Sequence, residues 1–429
     1  MMKQFTKTKL AAAVGTATMA MALAAPAGAA VVVGGDNGWE ISFSGNVNAF
    51  YQHINCDTGC SSAGGGEDSS RVTSGFLPAF FTFSAKSPTV NGLTGSARFS
   101  FAPTIQTAKQ HTDLAGAGPA GIGGSGIEGA TIDTREVVAD ISGSFGTISY
   151  GRTLSHFGRQ AILKDMTLFG VGGMHGGLSV TDSGVVTTGR VGLGYVYPNF
   201  ESRLAWTSPN MNGFGLSVGI YDPAEPSLGA APNQLETDVP RFEGEVMYTT
   251  AYTNGAASIW VDGTWQEVEV NAAGISMNGA DYDREGWGAG AQASMSGFEL
   301  TGYYYDGDNL ETTLGFLTTP ATSLAGVPNT TAPTQFEDSD NDGFYVQGTY
   351  TFNGRTKVGV SYGESNEDGD TFYNEVEQDM WTVGVYHDIT SWLRVMAEYS
   401  EAETEVTTAG VSATTLEYDS FSVGSFILW

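Results

Sequence analysis

Basic residues are scarce. The chain holds 18 Lys+Arg against 47 Asp+Glu, a formal net charge of -29. That sign repels phosphate backbones and argues against a nucleic-acid partner. Cysteine is nearly absent, with two residues in 429, too few for a disulfide-dense scaffold or a four-cysteine zinc site. The five histidines, His53, His111, His156, His175 and His387, are scattered. No His-Glu-x-x-His pair occurs, and catalysis finds no support. Long apolar runs are missing after residue 30, and a mean hydropathy of -0.10 is too low for a helical membrane bundle.

What is present begins with a targeting pattern. Lys3, Lys7 and Lys9 precede an uncharged, small and apolar run from Leu10 to Ala25, then Ala27-Gly28-Ala29. Residues 1–29 read as a secretory signal peptide and 30–429 as one domain. Removing 1–29 leaves 15 basic against 47 acidic residues, a net charge of -32.

Beyond residue 35 the apolar period is 2. Phe344, Val346, Tyr350 and Phe352 alternate with Tyr345, Gln347, Thr349 and Thr351; Phe421, Val423, Ile427 and Trp429 share one parity. Such strands have one apolar and one polar side. Seven short turn signals recur, the strongest being Asn254-Gly255 and Asn353-Gly354. Eight long polar stretches, at 54–75, 107–130, 153–198, 222–240, 268–286, 306–343, 364–377 and 403–417, alternate with them. Sixteen strands follow from this division. Short turns at one end and long loops at the other suit a transmembrane β-barrel, not a soluble sandwich. The expected fold is all-β: a 16-stranded antiparallel transmembrane barrel in an outer membrane. Trp39, Phe50, Tyr51, Trp206, Tyr304, Tyr350, Trp381, Tyr386, Trp392 and Tyr399 are candidates for interfacial girdles.

The acids are expected in the long loops, as a negative rim that attracts cations and offers divalent bridges to anionic lipid. Solubility alone is the plainer account. Asp338, Asp340 and Asp342 open a calcium-loop pattern, but its closing Glu position holds Thr349, and a solvated acidic loop competes with the calcium site. No other cofactor is expected. Cys56 and Cys60 suit a small disulfide loop outside the cytoplasm; a metal site with His53 lacks an evident fourth ligand. His156 and His175 share one long loop, where pore lining or packing is the plainer account.

Several ordered segments resemble the general porins of Gram-negative outer membranes. Thr134-Arg135-Glu136 and Phe145-Gly146-Thr147-Ile148-Ser149-Tyr150-Gly151-Arg152 look like the family's fourth and fifth strands. Asp165-Met166 with Phe169-Gly170 resembles its constriction segment, and Gly189-Arg190-Val191-Gly192 the stretch closing that loop. Ser208-Pro209-Asn210-Met211-Asn212-Gly213-Phe214 is similar to a family turn. The resemblance implies a homotrimeric diffusion channel, with a long third loop (153–198) folded into the lumen to constrict the pore. It implies wall cations Arg135 and Arg190, with Arg152 and Arg71 beside them, facing the loop carboxylate Asp165. It also implies contact with outer-membrane lipid and lipopolysaccharide, and an assembly signal in Trp429 where the family usually has Phe. Asn46 and Leu168 stand where the family carries charges, so its ion preference does not transfer. Passive transport with weak cation selectivity is the leading expectation. A substrate-specific channel, a plugged structural or adhesive barrel, and a secreted soluble β-protein are the competitors.

Overall fold

A computed structural model of the chain describes residues 31–35, 37–59, 68–103, 105, 132–173, 187–223, 235–270, 281–310, 339–369, 375–408 and 410–429. The expected signal peptide, Cys60 and Asp338 lie outside the described residues.

The strands are β1 (Val31–Gly34), β2 (Glu40–Thr58), β3 (Ser69–Thr73), β4 (Phe80–Lys86), β5 (Thr94–Pro103), β6 (Ile132–Gly143), β7 (Gly146–Leu154), β8 (Phe200–Thr207), β9 (Phe214–Tyr221) and β10 (Leu235–Glu236). They continue with β11 (Arg241–Tyr252), β12 (Gly255–Val270), β13 (Asp281–Met295), β14 (Phe298–Asp308), β15 (Asp340–Phe352), β16 (Thr356–Asp368), β17 (Glu375–Asp388), β18 (Leu393–Thr408) and β19 (Val411–Leu428). Every neighbour in the wall is antiparallel, and β19 pairs with β2 from Leu428↔Asn46 to Glu417↔Thr58. The sheet is therefore a closed barrel without an edge. β3 and β4 share one wall position, since both pair with β2. β1 and β10 are short additions to neighbouring strands. The wall then has sixteen strand positions among the described residues.

Alternation places the side chains. On β15, Val346 and Phe352 point outward, 44% and 46% exposed, while Tyr345 and Gln347 point inward and are buried. Each of the seven expected short turns joins a hairpin. At Asn353-Gly354 both residues take positive φ, 49° and 64°, the backbone a tight hairpin requires.

The long-loop ends differ from expectation. β18 runs to Thr408 and β19 starts at Val411, so the stretch 403–417 is mostly strand. β12, β13, β16 and β17 also extend into expected loops. Most acids placed there stand on the outward face, while Glu367 on β16 turns inward and is buried. From the short-turn end, β17 presents Val385, Val383, Trp381, Asp379, Glu377 and Glu375 outward. β18 presents Val395, Ala397, Tyr399, Glu401, Glu403 and Glu405. This order is apolar band, aromatic girdle, then charge. Beyond the lipid the outward face meets water, so outward apolar residues stop although the ladder continues. Phe50 and Tyr386 are not girdle residues; their parity turns them inward, where both are buried.

One wall position is broken. Ser74-Gly75-Phe76-Leu77-Pro78-Ala79 leaves the ladder between β3 and β4, and all six are buried. Pro78 cannot donate to a ladder, and this is where the wall turns inward.

The girdle order predicts two outcomes on β17. Val383→Arg should cost about 2–4 kcal/mol of stability in lipid vesicles, the penalty of a cation in the apolar band. Glu377→Arg, six positions away on the same face, should be neutral or stabilising, since Glu377 opposes Glu405. Denaturant unfolding in vesicles reads both.

Candidate functional site: the third loop and the inner wall

The segment between β7 and β8 is the third long connection. Gly158 takes a left-handed φ of 71° and starts the short helix α1 (Arg159–Lys164). Asp165 then caps a 3-10 turn, Met166–Phe169, accepting from the Thr167 N–H. The chain returns through 187–199.

Irregular backbone away from water needs partners for every N–H and C=O. Inward-facing side chains supply them. Glu243 on β11 accepts from the N–H groups of His156 (2.6 Å) and Phe157 (3.0 Å). Glu245 accepts from Arg159 (2.7 Å) and Gln160 (3.1 Å). Gln347 on β15 accepts from the Met166 N–H (2.8 Å) and donates to the Lys164 carbonyl (2.6 Å). Glu398 on β18 accepts from the N–H groups of Val171 (2.7 Å) and Gly172 (3.0 Å) and from the Tyr386 hydroxyl. Gly170 approaches Glu398 so closely that a Cβ there would overlap the carboxylate. From the broken wall position, Phe76 and Leu77 donate to the carbonyls of Gly170 (2.9 Å) and Leu168 (3.2 Å). The segment is thus pinned to the inner wall at β11, β15, β18 and the break before β4. An apolar cluster accompanies it, including Phe50, Phe76, Leu168, Val171, Tyr345 and Tyr386. Trp260, Tyr303, Tyr305 and Tyr345 form an inward aromatic group, all buried.

Several wall cations are paired with carboxylates. Arg98 on β5 makes two bonds to Glu136 (2.9 and 2.8 Å), which also accepts from Ser100 and Thr153. Arg241 pairs with Glu201 and Glu243, and Arg394 with Asp388 through two bonds. On the short-turn side of the third loop lies a cavity of about 330 Å³. It is bounded by Lys164, Phe169, Glu299, Arg355, Lys357 and Arg394, among others.

A family model described as Gram-negative porin matches residues 12–407. The chain belongs to the Gram-negative porin family. This porin is an outer-membrane β-barrel channel. Its fold is similar to the outer membrane channel DcaP of Acinetobacter baumannii, at 11% identity and TM-score 0.60, over 92% of this chain and 99% of that one. It is also similar to an anion-selective porin from Comamonas acidovorans, at 13% identity and TM-score 0.58, over 91% and 100%. OmpT of Vibrio cholerae in a trimer form is similar at 14% identity and TM-score 0.51, over 91% and 99%. No curated protein matches the chain by sequence.

The porin's structure places the sequence-chosen residues apart. Arg135 is the extra residue of a bulge in β6, buried, bonded to Asp133 (2.9 Å) and stacked over Phe200 (5.4 Å). Arg71, half-buried on β3, donates to Gln52 (3.2 Å). Arg152 is a correction: it is exposed on the outward face beside Val137, since its parity on β7 matches Ile148 and Tyr150. Arg190 is another. It is fully buried in the returning loop and donates to the carbonyls of Met380 and Ser361 (both 2.9 Å), so it is a buttress and not a wall cation. Asp165 accepts from the Thr167 N–H and hydroxyl (both 2.8 Å) and from Tyr195 (2.9 Å). Burial pushes its carboxyl above the usual range, against the pull of Arg190. It organises the loop. Asp340 and Asp342 stand in extended strand facing Asp308 and Asp306, not in the loop their motif requires. Among the described residues no three His, Cys, Asp or Glu side chains converge to hold a metal. Arg98, Glu243 and Glu398 are not among the sequence-predicted site residues, and Glu136 enters there only within a family-like segment. Each lies on the inward parity of its strand, which is the signal that marks them.

Glu398→Ala should leave two buried N–H groups without an acceptor, at about 1–3 kcal/mol each. Faster amide exchange at Val171 and Gly172 checks this, and Glu398→Gln should lose less. A second expectation concerns pH. His156 is buried beside Arg159 and Arg203, which holds it well below the ordinary 6.5. Its Nδ1 meets the Tyr221 hydroxyl at 2.8 Å. The unfolded chain then binds the extra proton first, so stability falls as pH drops below 6.5, by at most about 1.4 kcal/mol per unit. Thermal unfolding between pH 7 and 5 should show a shallower slope in His156→Gln.

Proposed function

We propose that this porin is a passive channel for ions and small hydrophilic solutes, with the third loop setting the narrowest point. The observation that carries it is the pinned third loop, held by inward side chains of a closed wall whose lumen face is polar. No energy source or cofactor enters; selection comes from width and lining charge. Weak cation preference is the ionic part of the proposal. Its support is the paired state of Arg98, Arg241 and Arg394, set against a net charge of -29. Paired cations project little field, whereas the outward acids enrich cations near the mouth. A homotrimer is proposed as the assembly, since a structural neighbour occurs in a trimer form. The outward acids on β12 to β19 suit divalent bridges to lipopolysaccharide, and Trp429 suits recognition by the barrel-assembly machinery.

A plugged barrel is the second reading, favoured by one observation. The apolar cluster runs from Phe50 and Phe76, through Leu168 and Val171, to Tyr345 and Tyr386, bridging the lumen. A sugar-specific channel has less support: the inward aromatics Trp260, Tyr303, Tyr305 and Tyr345 are buried against other groups and offer no free faces.

Single-channel recording in a salt gradient decides among them. The expected outcome is stepped current in multiples of three with a reversal potential of cation sign. Anion sign would overturn the ionic proposal, and absent current from folded protein would favour the plug.

A further inference from the structure

The cavity on the short-turn side of the third loop carries more positive charge than its neighbours neutralise. Four cations border it, Lys164, Arg355, Lys357 and Arg394, and three carboxylates, Asp165, Glu299 and Asp388. Two of the carboxylates are engaged elsewhere. Asp388 holds Arg394 through bonds of 2.7 and 3.1 Å. Asp165 is closed by Thr167 and Tyr195. Among the bordering carboxylates that leaves Glu299 for Lys164, Arg355 and Lys357; Glu245, which also acts on Lys164, is held by Arg159 and Gln160. Glu299 lies within electrostatic reach of both lysines, but no ion pair joins them. Lys164 is positioned by its stack over Trp260, 5.3 Å from the ring. Clustered cations drawn partly out of water are unfavourable without an anion.

The remaining border is mixed, with Gln292, Thr351 and Tyr386 from the wall and an apolar stretch from the loop. Leu163, Met166, Leu168 and Phe169 of the third loop form one side, and Arg394 lies over the Phe169 ring at 5.2 Å. A volume of about 330 Å³ is that of a small-ligand pocket. An inorganic anion would use the cations and waste the apolar side. A hydrocarbon would do the reverse.

We infer that this cavity binds a small organic carboxylate, its charge at Lys164 and Lys357 and its hydrocarbon body against Met166 and Phe169. The inference deepens the channel proposal by naming a solute class, and rests on it for access. It does not depend on the overall ion preference. It differs in place from the Arg98 and Arg135 wall.

The probe is 3-phenylpropanoate. It is titrated calorimetrically into the detergent-folded protein and added to bilayer recordings. Saturable binding and concentration-dependent block are expected, with neither produced by 3-phenylpropanol. Lys164→Gln/Lys357→Gln should weaken binding at least tenfold. Lys357→Arg keeps the charge and should retain it. Lys86→Gln, an exposed lysine on β4, should change nothing. Heat-dependent gel migration confirms that each variant folds. Absent saturable binding, unchanged binding in the double variant, or equal binding of inorganic phosphate would overturn the site. Conductance without binding overturns the site and leaves the channel. Binding without conductance supports the site and overturns the channel.

Discussion

In hydrocarbon there is no water to satisfy a backbone amide, and each unpaired N–H or C=O costs several kcal/mol. The barrel answers this by closing β19 on β2. The seam is reinforced where the strands meet the short-turn rim. Gly45 and Trp429 exchange two backbone hydrogen bonds (2.9 and 3.0 Å), and the Trp429 ring packs on Phe43 and Phe81. The broken wall position obeys the same rule. Where Ser74–Ala79 leaves the ladder, the Phe76 and Leu77 amides find carbonyls in the third loop. The wall gives up part of its own pairing and gains a contact with the segment it encloses.

The third loop extends that logic inward. Its irregular backbone is held by carboxylates and an amide from the wall, each accepting N–H groups that no ladder serves. This divides the acids into two populations with different physics. Glu243, Glu245 and Glu398 are buried and fully engaged. Glu377, Glu403 and Glu405 stand outward in rows, directly opposed to other acids. In water such repulsion is weak, about 1 kcal/mol at 4 Å; in a dry interior it would be prohibitive. The rows therefore mark where the membrane ends.

Strand alternation, the seven short turns and the sixteen-fold count were legible in the amino-acid order. These depend on near neighbours: the two-residue period of a strand and the φ preferences of Asn and Gly. The apolar outer band followed from the same period. Loop boundaries were less legible, because beyond Tyr399 the outward face of β18 carries only Glu401, Glu403 and Glu405 before Thr407.

The fate of the inward charges was decided only in three dimensions. Local order showed an arginine at 190 and an aspartate at 165, but not that each would be consumed by loop and wall. It did not reveal that a bulge buries Arg135, or that β13 to β18 gather Lys357, Glu299 and Arg394 under Lys164. The physical reason is range. Hairpin pairing is settled by residues a few places apart, whereas Arg190 and Glu398 meet partners 171 to 227 residues away, brought together only when the barrel closes.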